Sequence, residues 1–174
     1  MGDPERLAAR PTSNADDDFC AFYRDFVPKL VGFLRLQGAQ LAEAADIAQD
    51  TMVQAHQRWE TINHPAAWAR TVASRALTRR IATVREDPSE TISEGALLLT
   101  PSTNISEWEA RHDILRAFDQ LPPRQRQVMA WTLQGYTPAE IADELKIKPE
   151  AVRASLMKAR RAISEHLALL EDSQ

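Results

Sequence analysis

Apolar residues recur at intervals of three and four along most of the chain, while strand-length alternation rich in Val, Ile and Thr is absent, so the pattern predicts an all-α protein. The first stripe runs from Phe19 to about Leu36 through Phe22, Phe26, Leu30, Phe33 and Leu34, with Pro28 inside it predicting a kink or an early break. A second helix, from about Leu41 to Trp59, would turn Ala45, Ile47, Ala48, Met52, Val53 and Ala55 inward. A third runs from Pro65 to Val84, and a proline suits its first turn. Four further helices are predicted at about 112–120, 123–134, 138–145 and 149–168.

Two stretches break the pattern. Residues 1–17 carry Pro4 and Pro11 and lead into Asp16-Asp17-Asp18, a composition that does not bury, so they are expected to form a mobile tail whose last aspartate caps the first helix. Residues 86–111 mix Pro, Ser, Thr and Gly with Glu86, Asp87, Glu90, Glu94, Glu107 and Glu109 against Arg111 alone, and read as a flexible acidic linker. The expected organisation is therefore a tail at 1–17, a three-helix domain at 18–85, the linker at 86–111 and a four-helix domain at 112–169, with no repeat relating the halves.

Charge narrows the functional classes. The 174 residues hold 21 Lys+Arg against 25 Asp+Glu, a net charge of -4, so any nucleic-acid footprint has to be local. A single cysteine, Cys20, makes no internal disulfide, and four scattered histidines give no metal-ligand spacing; no cofactor or metal is expected. Cys20 reads as an incidental thiol ahead of an oxidation sensor. There is no glycine-rich phosphate loop, no metalloprotease His-Glu spacing and no nucleophile beside an evident base, which argues against an enzyme. No stretch reaches the ~18 apolar residues of a membrane span, and a cytoplasmic protein is expected.

Two segments concentrate candidate chemistry. Thr137-Pro138-Ala139-Glu140 combines a hydroxyl N-cap, Pro at the first helical position and a Glu placed to close a capping box. The short Lys146-Ile147-Lys148 stretch then leads to Pro149 and a helix whose Val152, Leu156, Ala159 and Ile163 face inward, an arrangement that reads as a helix-turn-helix. Arg153, Ala154, Met157, Lys158 and Arg161 remain on the outer face, where a DNA major groove is read; a merely solvated basic face is the competing reading. Lys148 offers no capping acceptor, leaving that helix start open to a phosphate. In the first half, the segment from His64 to Arg85 holds Arg70, Arg75, Arg79, Arg80 and Arg85 with no acid, whereas the preceding helix carries Glu43, Asp46, Asp50 and Glu60 against Arg58. Thr71, Arg75 and Arg79 share a face that can follow a phosphate backbone. Trp68 reads equally as a base-stacking platform and as a core residue.

FYRDFVPKLVGFLR followed by EAADIAQDTMVQAHQRW, and later LPPRQRQVMAWTLQGYTPAEIADELKIKPEAVRASLMKARRAI, together resemble the extracytoplasmic-function sigma factors of bacterial RNA polymerase, over about residues 19–85 and 112–168. The resemblance implies a dissociable specificity subunit of two helical domains, regions 2 and 4. It implies partners too: core polymerase, through the clamp helices of the largest subunit and the flap of the second largest, promoter DNA and an anti-sigma factor. By position it places Asp46, Gln49, Asp50 and Val53 against core polymerase. Asn63, Trp68, Arg70, Ser74, Arg75 and Arg79 fall at the −10 element, and Arg153, Ala154, Ser155, Met157, Lys158 and Arg161 at the −35 element. The linker would thread the channel that RNA later occupies. This chain has Arg75 where many members have Asn, Ala45 where an acid is usual and His56 where Trp is usual. A guanidinium favours guanine edges or phosphate, so the promoter sequence does not carry over. Without the resemblance, the same residues leave open a stand-alone helix-turn-helix regulator, expected to dimerise and bind duplex alone, and a helical interaction protein with an acidic partner.

Overall fold

The computed structural model describes residues 13–86 and 114–171, and every regular element among them is helical, as the hydrophobic spacing predicts. Helix α1 spans Ser13–Leu36, α2 Leu41–Gln57 and α3 Pro65–Glu86, with one 3-10 turn at Trp59–Thr61 between the last two. Helix α4 covers 114–119, followed by α5 (Pro123–Leu133), α6 (Pro138–Leu145) and α7 (Pro149–Glu171). Residues 1–12 of the expected tail, 87–111 of the expected linker and the first two residues of the predicted helix at 112–120 lie outside the described residues.

Helix α1 departs from expectation twice. It begins at Ser13, so residues 13–17 are helical and not part of a tail, and Asp16 sits in the first turn where the helix dipole favours an acid. It also runs unbroken through Pro28. The proline faces solvent, so the missing hydrogen bond falls on the wet side, while Phe26, Leu30, Phe33 and Leu34 are buried on the opposite face and hold the helix down.

Helix α2 ends two residues short of Trp59, and its buried stripe is Ala44, Ile47, Ala48, Thr51, Met52 and Ala55. Ala45 is half-buried, and Val53, expected inward, is 57% exposed. Both corrections follow from helical phase: 47, 48, 51, 52 and 55 already fill the inner arc, and 53 lies beyond it. Ala69, Ala73 and Leu77 of α3 complete the three-helix core.

In the second half, α5 supplies Val128, Met129, Ala130 and Trp131, α6 supplies Ile141 and Ala142, and α7 supplies Val152, Leu156 and Ala159. The two cores are continuous. Phe33 of α1 meets Trp131 of α5 edge to face at 5.1 Å, and Tyr136 also packs edge to face with Trp131, at 4.7 Å. Between the halves, the turn after α1 comes against the start of α5: Gly38, at φ +102, is so close to Arg126 that a Cβ there would lie 2.7 Å from its Nη1. Arg126 is held in place by donating to the carbonyls of Leu121 and Asp119, each at 2.9 Å.

Candidate functional site

Helix α6 is placed by its first turn. The Thr137 N–H donates to Glu140 Oε2 at 2.8 Å, the Thr137 hydroxyl donates to the same oxygen at 2.7 Å, and the Glu140 N–H donates back to Thr137 Oγ1 at 3.4 Å. These hydrogen bonds hold the Glu140 carboxyl below its ordinary pKa, the hydroxyl of Thr137 first and its N–H second. The helix stops at Lys146, whose left-handed conformation (φ 55) turns the chain, while the Ile147 N–H donates to the Ala142 carbonyl at 3.0 Å. Lys148 gives its carbonyl to the N–H groups of Ala151 and Val152, and α7 begins.

On α7 the inward set is as predicted, with Val152, Leu156 and Ala159 buried and Ile163 half-buried. Arg153, Ala154, Met157, Lys158 and Arg161 are all exposed, and Ser155 is half-buried. Met157 is 68% exposed, more than Val53, Leu133, Ile114 or Leu167, the other large apolar side chains that face solvent among the described residues. Two cations on this face are paired within the helix: Arg153 with Glu150 at 3.0 Å and Arg161 with Glu165 at 2.7 Å. Both pairs are solvent-exposed and weak, so the guanidinium groups are readily surrendered to a phosphate or a base edge. The spacings of three and four are visible in the sequence and suffice to identify both partners.

The residues on and before α3 are dispersed. Asn63 is exposed ahead of the helix, and Trp68 is half-buried against the core, its indole partly committed to packing. The Arg70 guanidinium lies over the Phe26 ring at 5.1 Å. Ser74 is 3% exposed and donates to Gln37 Oε1 at 2.7 Å, so its hydroxyl is engaged inside the protein. Arg75 and Arg79 are exposed and reach a cleft of about 410 Å³ also lined by Arg124, Trp131, Glu144 and Lys146. The cleft lies between the two halves. Sequence pattern identifies neither Glu144 nor Gln37 as a partner of α3, because each meets it across a long interval of chain.

The α2 face is compact. Asp46, Gln49, Asp50 and Val53 are exposed at helical spacing, three acids or amides around one apolar side chain. Gln49 Oε1 accepts from the Tyr23 hydroxyl at 2.9 Å, and Asp50 lies 3.7 Å from Arg80 of α3. Cys20 is exposed on α1. Among the described residues no helix is long and apolar enough to cross a membrane.

A family model described as sigma-70 region 2 matches residues 22–86, and one described as sigma-70, region 4, matches residues 111–163. No curated protein sequence matches the chain. Of 11 matching chains among solved structures, one is the sigma factor RpoE from Bartonella quintana, in a co-crystal with the anti-sigma factor NepR. It is 18% identical with a TM-score of 0.67, over 87% of this chain and 98% of that one, a likeness of fold.

Proposed function

We propose, from the premise that the chain belongs to the sigma-70 family of RNA polymerase sigma factors and to its extracytoplasmic-function type, how its surfaces divide the work of initiation. A sigma factor of this type binds core polymerase, recognises the −10 and −35 promoter elements and promotes initiation. It is not an enzyme; the nucleotidyl chemistry belongs to the polymerase. The observation that carries the reading is that regions 2 and 4 match in order on one chain, at residues 22–86 and 111–163.

In this reading α7 enters the major groove of the −35 element with Arg153, Ala154, Ser155, Met157, Lys158 and Arg161. The cations hold phosphate or guanine edges, and Met157 offers an apolar contact to a thymine methyl. The exposed α2 face of Asp46, Gln49, Asp50 and Val53 docks on the polymerase clamp helices. Asn63, Trp68, Arg70, Arg75 and Arg79 serve the opened −10 strand. Ser74 joins them only after its bond to Gln37 is broken. The domain division at 18–85 and 112–169 follows the same assignment, with the acidic segment at 86–111 passing between them. A net charge of -4 makes free DNA a poor ligand, and core polymerase supplies the missing positive surface. The protein works where core polymerase works, in the cytoplasm, and an anti-sigma factor is its expected inhibitor, as NepR is the partner of the RpoE chain.

Run-off transcription on a genomic fragment library, with purified core polymerase with and without this protein, tests the reading. New start sites sharing two spaced upstream elements are expected. Their absence, with salt-sensitive duplex binding by the protein alone, would instead identify a stand-alone regulator.

A further inference from the structure

The cleft of about 410 Å³ between α3, α5 and the turn that ends α6 has a volume in the range of small-molecule sites. In a chain of net charge -4, four cations converge on it: Arg75 and Arg79 from α3, Arg124 from the first turn of α5 and Lys146 from the turn after α6. Glu144 is the one acid among the described residues of its wall. Two of the cations are held by hydrogen-bonding partners at the cleft. Arg75 Nη2 stands 3.4 Å from Glu144 Oε2, which also accepts from the Thr71 hydroxyl at 3.0 Å. Arg124 Nη1 donates to Gln127 Oε1 at 2.9 Å, and Gln127 Nε2 donates across to Thr78 Oγ1 of α3 at 3.3 Å. Arg79 and Lys146 are exposed and enter none of the ion pairs among the described residues. A second observation is independent of charge. Trp131 also lines the cleft, is 1% exposed, and has its indole Nε1 buried with no hydrogen-bond partner, although buried donors are rarely left unused.

We infer that this cleft binds a small polyphosphate anion, either the diphosphate or triphosphate group of a free nucleotide or its inorganic equivalent. Four cations against one acid leave a net of three positive charges, so a singly charged anion leaves most of them uncompensated and a multivalent phosphate balances them. Arginine forks together with a lysine point charge are the side chains that take phosphate oxygens. The orphaned Trp131 N–H adds a neutral donor for an acceptor on the same ligand, and Leu145 supplies apolar wall for a nucleoside. A volume of this size suits a compact anion over a continuous strand. An anion seated there engages Arg75 and Arg79, the two cations assigned above to the −10 strand, so the two occupants exclude each other. That consequence rests on the role proposed for α3; the binding itself does not.

Equilibrium dialysis of the full chain tests the site, with inorganic triphosphate, GTP and guanosine as separate ligands in magnesium-free buffer at about 0.15 M salt. Triphosphate and GTP should each be retained at one molecule per chain, and guanosine should not. Equal affinity for triphosphate and GTP assigns the site to the phosphate chain alone, and tighter binding of GTP adds the nucleoside; either supports the inference. Lys146→Ala and Arg124→Ala should each weaken binding by about three- to tenfold, and Glu144→Gln should tighten it by about as much. Arg160→Ala removes an exposed cation of α7 outside the cleft and should change binding by less than about twofold. A gain in Glu144→Gln cannot come from misfolding, and Lys146→Arg, which keeps the charge, should bind as the parent does. Absence of retained triphosphate and GTP, retention of guanosine as tight as that of GTP, or equal effects of Lys146→Ala and Arg160→Ala would overturn the inference. If run-off transcription fails while these shifts are seen, the sigma reading falls and the anion site stands; if the shifts are absent, the site falls and the sigma reading is unaffected.

Discussion

Replacing Thr137 with alanine tests whether the start of α6 sets the stability of the helix-turn-helix. Alanine removes the hydroxyl that donates to Glu140 Oε2 at 2.7 Å and accepts from the Glu140 N–H at 3.4 Å, leaving the Thr137 N–H bond at 2.8 Å in place. Helix α6 has only 8 residues, so fraying of its first turn reaches the buried Ile141 and Ala142 directly. An N-cap threonine replaced by alanine costs about 1 kcal/mol, and the surviving N–H bond keeps the loss near that value. For a chain of this length whose halves share a core, that is a fall in Tm of about 2–4 °C. Circular dichroism melts and urea titrations of the full chain would measure it, with the urea midpoint lowered and the slope unchanged. Thr137→Ser retains the hydroxyl and should melt with the parent. Acid provides a second check. The folded Glu140 carboxyl titrates below its ordinary 4.5, so its contribution is present above that pH and is lost as pH falls through the folded value. Because the Thr137 hydroxyl is the largest cause of that shift, the gap between parent and Thr137→Ala should narrow in that acid range. A variant that melts with the parent at neutral pH, or whose deficit is undiminished in acid, would refute this role for the cap.

Val53→Asp should leave Tm nearly unchanged, because the side chain is already 57% exposed, yet weaken core polymerase binding about tenfold or more; fluorescence titration with core checks this. Ser74→Ala strips Gln37 Oε1 of its donor beside an amide nitrogen that already lacks a partner, and should cost about 1–3 kcal/mol in urea unfolding. Lys158→Ala should lower the salt-dependence slope of holoenzyme binding to −35 duplex by about one unit, with similar loss on every promoter.

Short-range chemistry is the part of this fold that is legible in the sequence. The α6 start is written in four consecutive residues, Thr137 to Glu140, and Pro149 marks the start of α7, so the helix-turn-helix and its outward face can be placed from the residues alone. Val53 reads as inward from the sequence because an apolar residue beside a buried stripe looks the same whether it belongs to the core or to an interface; only the helical phase of Ile47, Ala48, Thr51 and Met52 separates the two. Pro28 reads as a break because local propensity carries no information on the buried face that overrides it. The pairing of Thr71 and Arg75 with Glu144 is not legible at all. It joins residues 73 and 69 positions apart, and no periodicity within either helix encodes it.

Gly38 and the few contacts around it set how closely the two halves approach each other. A larger residue at Gly38 would sit at a φ of +102 that side chains rarely adopt, with its Cβ 2.7 Å from Arg126 Nη1, so the turn is strained and the guanidinium has to shift. A single substitution in this turn thus acts on the packing of one half against the other, while the solvent-facing side chains of α2 and α7 stay as they are.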